Sequence, residues 1–247
     1  MSRNGLPRLI RGHQREAFAE SATEDRSAAA RLASDFGRSA PSAILCSAQH
    51  WTAPIHLSAH HLAEFLVKRG WRVCFLSTPT SLLHGARNFS DAMNRARLAS
   101  WRRGGAWDCD GRLFHYTPLA IVPPSRLPPL NHRWLFANWP RLSVPRISKV
   151  LSRHGFGTPD LMILDSALMA PVWREFGCPR LIYRITDRNQ DFPAAPAPLH
   201  DMERELARAA AVVTVTGSRL ASYAEVLKPR ATLCISNGVD LAHMTTP

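Results

Sequence analysis

From Ser42 onward, short apolar runs alternate with amphipathic stretches, regularly enough to predict elements. Ser42-Ala43-Ile44-Leu45-Cys46-Ser47 suits a short strand buried on both faces. After a loop over residues 48–54, Leu57, His61, Leu62, Phe65 and Leu66 recur at helical spacing. That stretch stops at Lys68-Arg69-Gly70, a basic last turn closed by glycine. Trp71-Arg72-Val73-Cys74-Phe75-Leu76 is a second strand, ended by Ser77-Thr78-Pro79, which completes a βαβ unit in about 35 residues. The middle is less regular. Residues 91–103 read as a basic helix, residues 111–116 as a strand, and the five prolines of residues 118–129 require a loop or extended segment. Residues 130–153 mix Trp134, Leu135, Phe136, Trp139 and Ile147 with arginines and a lysine.

Regular alternation then returns. Residues 160–164 form a strand, and residues 167–176 a short helix stopped by Gly177. Residues 180–185 are a strand, and residues 199–209 a helix with acids early and arginines late, which suits its dipole. Residues 211–215 are a strand, Ser218 caps a helix running to about residue 227, and residues 231–235 are the last strand. Strands alternating with helices imply a parallel sheet covered on both faces, and right-handed crossovers make it a single α/β, Rossmann-like layered domain over residues 41–236. Residues 1–40, rich in Arg, Ala, Ser and Glu, read as a disordered extension. Residues 237–247 read as the start of an interdomain linker, with Asn237, Gly238 and Asp240 as its hinge. Ligands of such sheets bind outside the carboxyl ends of the strands. The candidate loops are therefore residues 49–56, Asp165-Ser166, residues 186–191, Thr216-Gly217-Ser218 and residues 237–240.

Composition narrows the function classes. The 247 residues are 45% apolar with seven tryptophans, enough for a sizeable core. A formal charge of +12 suits an anionic partner, whether a phospholipid surface, a pyrophosphate-linked substrate or nucleic acid. Only three of the 31 basic residues are lysines, and arginine favours bidentate phosphate and carboxylate contacts, although a GC-rich genome gives the same bias. Five scattered cysteines without CxxC spacing and eleven histidines without HExxH argue against a disulfide scaffold or a metal site. With neither a long apolar span nor an N-terminal apolar h-region, a cytoplasmic location is expected, peripheral on the inner membrane face if it docks. No GxGxxG follows the first strand and there is no Walker A loop, which disfavours a dinucleotide or P-loop enzyme. A nucleic-acid role rests on charge alone and is not expected.

Four stretches carry a family resemblance. Trp51-x-x-Pro54, then His60-His61-Leu62-Ala63-x-x-Leu66-x-x-Arg69-Gly70-Trp71-x-Val73, looks like the "W…P…HLA..LA.RGH.V" opening of many GT-B glycosyltransferases. Tyr183-Arg184-Ile185-Thr186-Asp187 is similar to the strand-then-aspartate of bacterial exopolysaccharide enzymes such as xanthan-type glucuronosyltransferases. Glu203 to Leu220 resembles the passage "E..L...AD.V...S..L" of group 1 glycosyltransferases, with Ala210 or Ala211 where the acid often sits. Cys234-Ile235-Ser236-Asn237-Gly238-Val239-Asp240 resembles the strand-plus-"PNGVD" signature at the domain crossing, with Ser236 in place of proline. The resemblance covers about residues 42–241 and implies the N-terminal, acceptor-binding half of a GT-B fold.

On that resemblance, Asp187 is the candidate general base, deprotonating the acceptor hydroxyl as it attacks the anomeric carbon. A turn or helix-cap aspartate is the plainer alternative. Arg184 and Arg188 are candidates for an acceptor pyrophosphate or uronic carboxylate, or Arg184 pairs with a helix carboxylate on a sheet face. Gln49, His50, Trp51 and His56 are candidates for sugar hydroxyls and a stacked pyranose face, while at least one of His60 and His61 is structural. Asp165-Ser166 is read as a helix cap. Arg133, Trp134, Phe136, Trp139, Arg141 and Arg146 are read as a membrane contact, against a basic helix whose aromatics pack inward. The expected function is transfer of a sugar from a nucleotide-sugar to a glycan or lipid-linked acceptor in cell-surface polysaccharide synthesis. No cofactor or metal is expected, and a donor domain, separately encoded or missing, is needed for activity. The rival is a non-catalytic glycolipid- or protein-binding module.

Overall fold

The computed structural model describes residues 40–82, 91–188 and 196–236. The expected disordered extension, apart from residue 40, and the hinge Asn237, Gly238 and Asp240 lie outside the described residues. The order of elements is β1 (Ser42–Ser47), α1 (Ser58–Lys68), β2 (Arg72–Ser77), α2 (Ala92–Arg102), β3 (Ala106–Asp108), β4 (Leu113–Tyr116), α3 (Arg133–Asn138), α4 (Ile147–Arg153), β5 (Leu161–Leu164), α5 (Ala170–Phe176), β6 (Leu181–Ile185), α6 (Ala197–Ala209), β7 (Val212–Val215), α7 (Ser218–Leu227) and β8 (Thr232–Cys234). Single 3₁₀ turns, Trp139–Leu142 and Ala167–Met169, follow α3 and precede α5.

The eight strands form one sheet in the order β3-β4-β2-β1-β5-β6-β7-β8, parallel throughout except that β3 runs antiparallel to β4. The C-terminal strand is paired, with Thr232, Leu233 and Cys234 opposite Val213, Thr214 and Val215. Burial explains the sequence pattern. Every residue of β1 is buried, as are five of six in β2, because helices cover both faces at the centre of the sheet. Towards the edge, β6 and β7 alternate between buried and half-buried positions, and β8 is exposed. Ile44, Leu76, Phe114, Tyr116, Phe156 and Tyr183 sit in the continuous core, each large apolar side chain contributing about 1.5–3 kcal/mol by burial.

Four local expectations are corrected. The edge strand β3 went unread. It is three residues long, and Gly105 turns the chain into it at φ +95, where a Cβ would stand 2.3 Å from the Phe114 ring. The buried face of α1 is Ala59, His60, Ala63 and Leu66, whereas Leu57 and Phe65 are exposed. Small residues let the helix lie close on the sheet, so Leu57 and Phe65 did not mark the inward side, whereas Leu66 did. Gly217, not Ser218, is the N-cap of α7. Asp165 caps nothing, and the Ser166 side chain makes no cap bond. By contrast α2 is capped by Asp91, which accepts the Met93 N–H at 2.9 Å, and α5 ends in left-handed Gly177. No helix among the described residues is long and apolar enough to cross a membrane.

Candidate functional site

The strand order reverses between β1 and β5. From β1 the chain builds outward through β2 and β4, then crosses back to place β5 on the other side of β1. Such a switch point opens a crevice at the carboxyl ends of the strands. Asp165, the first residue after β5, spans it. Its carboxylate accepts the Ser47 hydroxyl at 2.8 Å and the Ala48 N–H at 3.1 Å. The Ser47 oxygen in turn accepts the Gln49 N–H at 3.1 Å, which fixes the start of the loop after β1. Burial raises the Asp165 pKa, opposed by these donors and by the nearby Arg184 cation. Arg184, half-buried on β6, donates to the Ser58 hydroxyl at 3.1 Å rather than pairing with a helix carboxylate. A second guanidinium nitrogen, Nη1, is shielded and has no partner among the described residues.

The loop after β1 is more buried than its polar sequence implies. His50 is 2% exposed and Trp51 5%. The Trp51 ring packs against His56, His60, Phe75 and His115, and its N–H donates to Asp108 Oδ2 at 2.8 Å. Both aromatic faces being covered, Trp51 does not offer a platform for a pyranose ring. This corrects the expected role, and the cause is the packing of His60 from α1, Phe75 from β2 and His115 from β4 on the indole. His60 is the structural histidine. Its Nδ1 accepts the Leu57 N–H at 3.1 Å, so Nε2 carries the proton and donates to the His50 carbonyl at 3.0 Å. His56 is exposed, with its ring stacked on His60 at 4.6 Å and its Nδ1 3.6 Å from Glu64. Gln49, next to His50 in the chain, is half-buried.

Asp187 stands two residues beyond β6, exposed, and accepts the Thr186 hydroxyl at 3.2 Å. It is therefore at the open carboxyl end of the sheet. Arg188 is also exposed, its guanidinium 5.3 Å over the Tyr223 ring. Beneath them Glu203, fully buried on α6, accepts both the Tyr183 hydroxyl at 2.8 Å and the Tyr223 hydroxyl at 2.6 Å. Glu203 went unread as a site residue because an acid on a helix looks solvated. Arg97 and His115, which flank His50, were missed for a similar reason, standing in a basic helix and a short strand.

The proposed membrane segment divides. Trp139 is fully buried, its indole donating to the Leu168 carbonyl at 2.9 Å, and Phe136 is 4% exposed. Both belong to the core and cannot meet lipid, because α3 and the following turn pack inward on α5 and α6. Trp134 remains 57% exposed. Arg133 is held by Glu205 at 3.1 Å, Arg141 donates to the Asn138 side chain at 3.3 Å, and Arg146 is exposed at the start of α4.

The model of the glucuronosyltransferase GumK N-terminal domain (GumK_N) matches residues 45–216. The chain belongs to this family. The matched span begins within β1, ends just past β7, and so includes Asp165, Arg184, Asp187 and the whole His50 loop. Two solved chains of one enzyme agree in fold, and a third chain is more distantly similar. Sucrose-phosphate synthase from Thermosynechococcus elongatus is 14% identical at a TM-score of 0.56, with 85% of this chain and 53% of that one covered. A shorter chain of the same synthase is 16% identical at a TM-score of 0.50, covering 82% and 92%. Arabidopsis thaliana UGT89C1, complexed with UDP-L-rhamnose, is 14% identical at 0.45, covering 82% and 50%. Among curated protein sequences, none matches. The GumK_N chain is thus a glycosyltransferase N-terminal domain with the α/β fold of the GT-B enzymes.

Proposed function

We propose that this domain binds the acceptor in a sugar transfer from a nucleotide-sugar, and that Asp187 is the base of that reaction. The observation that carries the reading is the position of Asp187: a solvent-facing carboxylate just past a parallel strand, at the end of the sheet where ligands of this architecture bind. There it takes the proton from an acceptor hydroxyl as that oxygen attacks the anomeric carbon and the nucleoside diphosphate departs. Arg184 and Arg188, the neighbours of this base, are suited to an anionic acceptor group. Donor binding and stabilisation of the leaving group fall to a second lobe, and the acceptor is a glycan or lipid-linked glycan of a surface polysaccharide.

The test is transfer activity of the domain joined to its donor lobe. Asp187→Asn and Asp187→Ala should each lower kcat by at least a hundredfold with an unchanged fold. Full activity in both variants would remove Asp187 from the mechanism. Domain binding to an acceptor with no transfer under any donor would favour the non-catalytic module.

Docking to anionic lipid is part of the same reading, supported by the exposed Trp134 with Ile121, Val122 and Val144 beside cationic Arg141 and Arg146. Liposome flotation with Trp134, Arg141 and Arg146 replaced by glutamate should lose the bound fraction. Unchanged flotation would end the membrane claim.

A further inference from the structure

The wall of the crevice formed by α2 and the loop after β1 holds a cation that makes no ion pair among the described residues. Arg97, half-buried on α2, donates through Nη2 to the Ala48 carbonyl at 3.0 Å. Its Nε–H is shielded from solvent and meets no acceptor, and no carboxylate forms an ion pair with it among the described residues. The field of Asp91 reaches the guanidinium, but that carboxylate is engaged in capping α2 at the Met93 N–H.

A second orphan donor lies beside it. His50 Nδ1 accepts the Thr52 N–H at 3.2 Å, so the neutral ring carries its proton on Nε2. That Nε2 is buried and has no partner among the described residues. His115, edge-on to His50 with ring centroids 6.4 Å apart, has an unpartnered Nδ1, and the Thr117 hydroxyl is also unpartnered. Thr117 is tied to the same face of α2 as Arg97, since its N–H donates to the Ser100 hydroxyl at 3.2 Å. Buried polar groups in folded proteins are ordinarily satisfied, and a buried cation ordinarily has a partner. A water molecule would satisfy the histidine but bring no charge to the guanidinium. An oxyanion answers both.

We propose that Arg97 and His50 form an oxyanion subsite, which takes a phosphate or carboxylate group of the molecule that enters the crevice. The subsite rests on the acceptor reading only for the identity of that molecule. Its two donors come from separate elements, α2 and the loop after β1, and the charge of Arg97 favours an anion over a neutral hydroxyl.

The experiment is a titration of the 247-residue chain, labelled with ¹⁵N-histidine, using inorganic phosphate and, in a second arm, a hexuronate. It is followed at the His50 imidazole resonances. Saturable movement of those resonances by one anion supports the subsite, and the arm that saturates identifies phosphate or carboxylate as the recognised group. Arg97→Met, which removes a buried charge and so should stay folded, is expected to weaken binding at least tenfold. Arg97→Lys, which keeps the charge but loses the Nε–H, should fall between. A linear, non-saturating response to both anions, or equal affinity in Arg97→Met, overturns the proposal. The measurement needs no sugar transfer, so loss of transfer with anion binding intact would fault the acceptor reading and leave the subsite standing.

Discussion

The indole N–H of Trp51 donates to Asp108 Oδ2 at 2.8 Å, tying the loop after β1 to the antiparallel edge strand β3. The two residues are 57 positions apart in the chain. Their bond turns a polar, aromatic loop into a fixed wall of the crevice.

Asp108→Asn keeps the Trp51 ring packing and replaces the charged acceptor of the indole N–H by a neutral one. We expect a loss of about 1 kcal/mol, at the low end for a charge-assisted bond because Asp108 is exposed. The Trp51 N–H is the largest influence holding the Asp108 carboxyl below its ordinary range, followed by the Cys109 N–H. A depressed folded value means the contribution is complete above the ordinary carboxylate range and disappears as pH falls through the folded value. Urea denaturation at pH 7 and at pH 2 checks this: the gap between wild type and variant should close at the lower pH. A gap of equal size at both would show that the loss does not come from the charge on Asp108.

The histidines of this wall give a second pH dependence, of a different origin. Burial is the first cause lowering His50, to about 4, with Arg97, His115 and His60 adding to it. His60 and His115 are lowered as well, by burial first, with nearby Asp108 opposing it at His115. For a base whose folded pKa is depressed, the unfolded chain binds more protons between the two values. Stability is therefore full above the ordinary imidazole value and falls as pH drops from about 6.5 towards about 4, with His50 supplying up to about 3 kcal/mol of the change. His50→Gln should flatten the stability–pH curve in that window, as read by thermal denaturation. An unaltered slope would mean that His50 is not the titrating group.

Much of the sheet was legible because central strands such as β1 and β2 are continuous apolar runs, and nothing else in a chain of this length reads that way. What failed had a common cause. Leu57 and Phe65 look like a buried face, yet the sheet accepts Ala59 and Ala63 at close range. Trp139 and Phe136, set among arginines, look interfacial, yet α5 and α6 cover them. The place of Asp187 just past β6 was readable from the strand that precedes it, because a strand end has a fixed place in this architecture. Arg97 was not, because four arginines (Arg95, Arg97, Arg102 and Arg103) crowd one stretch. Only the register of α2 against β4 decides which of them faces inward.

Glu203 offers a test of how α6 is held to β6 and α7. It accepts two tyrosine hydroxyls from β6 and α7, and the ring of one of them, Tyr223, lies beneath Arg188. Glu203→Leu leaves both hydroxyls buried without this acceptor, and should cost about 2–5 kcal/mol. Glu203→Gln, which can still bond both oxygens, should cost less than half as much. Denaturant midpoints with unchanged m-values would establish the order. Equal losses in the two variants would mean that shape rather than hydrogen bonding matters at this position.

Asp165 and Asp187 both follow parallel strands, and their surroundings predict different costs of removal. Asp165 binds Ser47 and Ala48 across the switch point, so Asp165→Ala strands a buried hydroxyl and a backbone N–H, at a cost of about 2–4 kcal/mol. Asp187 is exposed and accepts the Thr186 hydroxyl, so Asp187→Ala should change stability by less than about 0.5 kcal/mol. A side chain this dispensable to folding, yet fixed at the ligand-binding end of the sheet, is free to serve chemistry. Parallel melts of the two variants decide the matter. If Asp187→Ala destabilises the domain as much as Asp165→Ala, the carboxylate is a structural tie, and its candidacy as the reaction's base loses its footing.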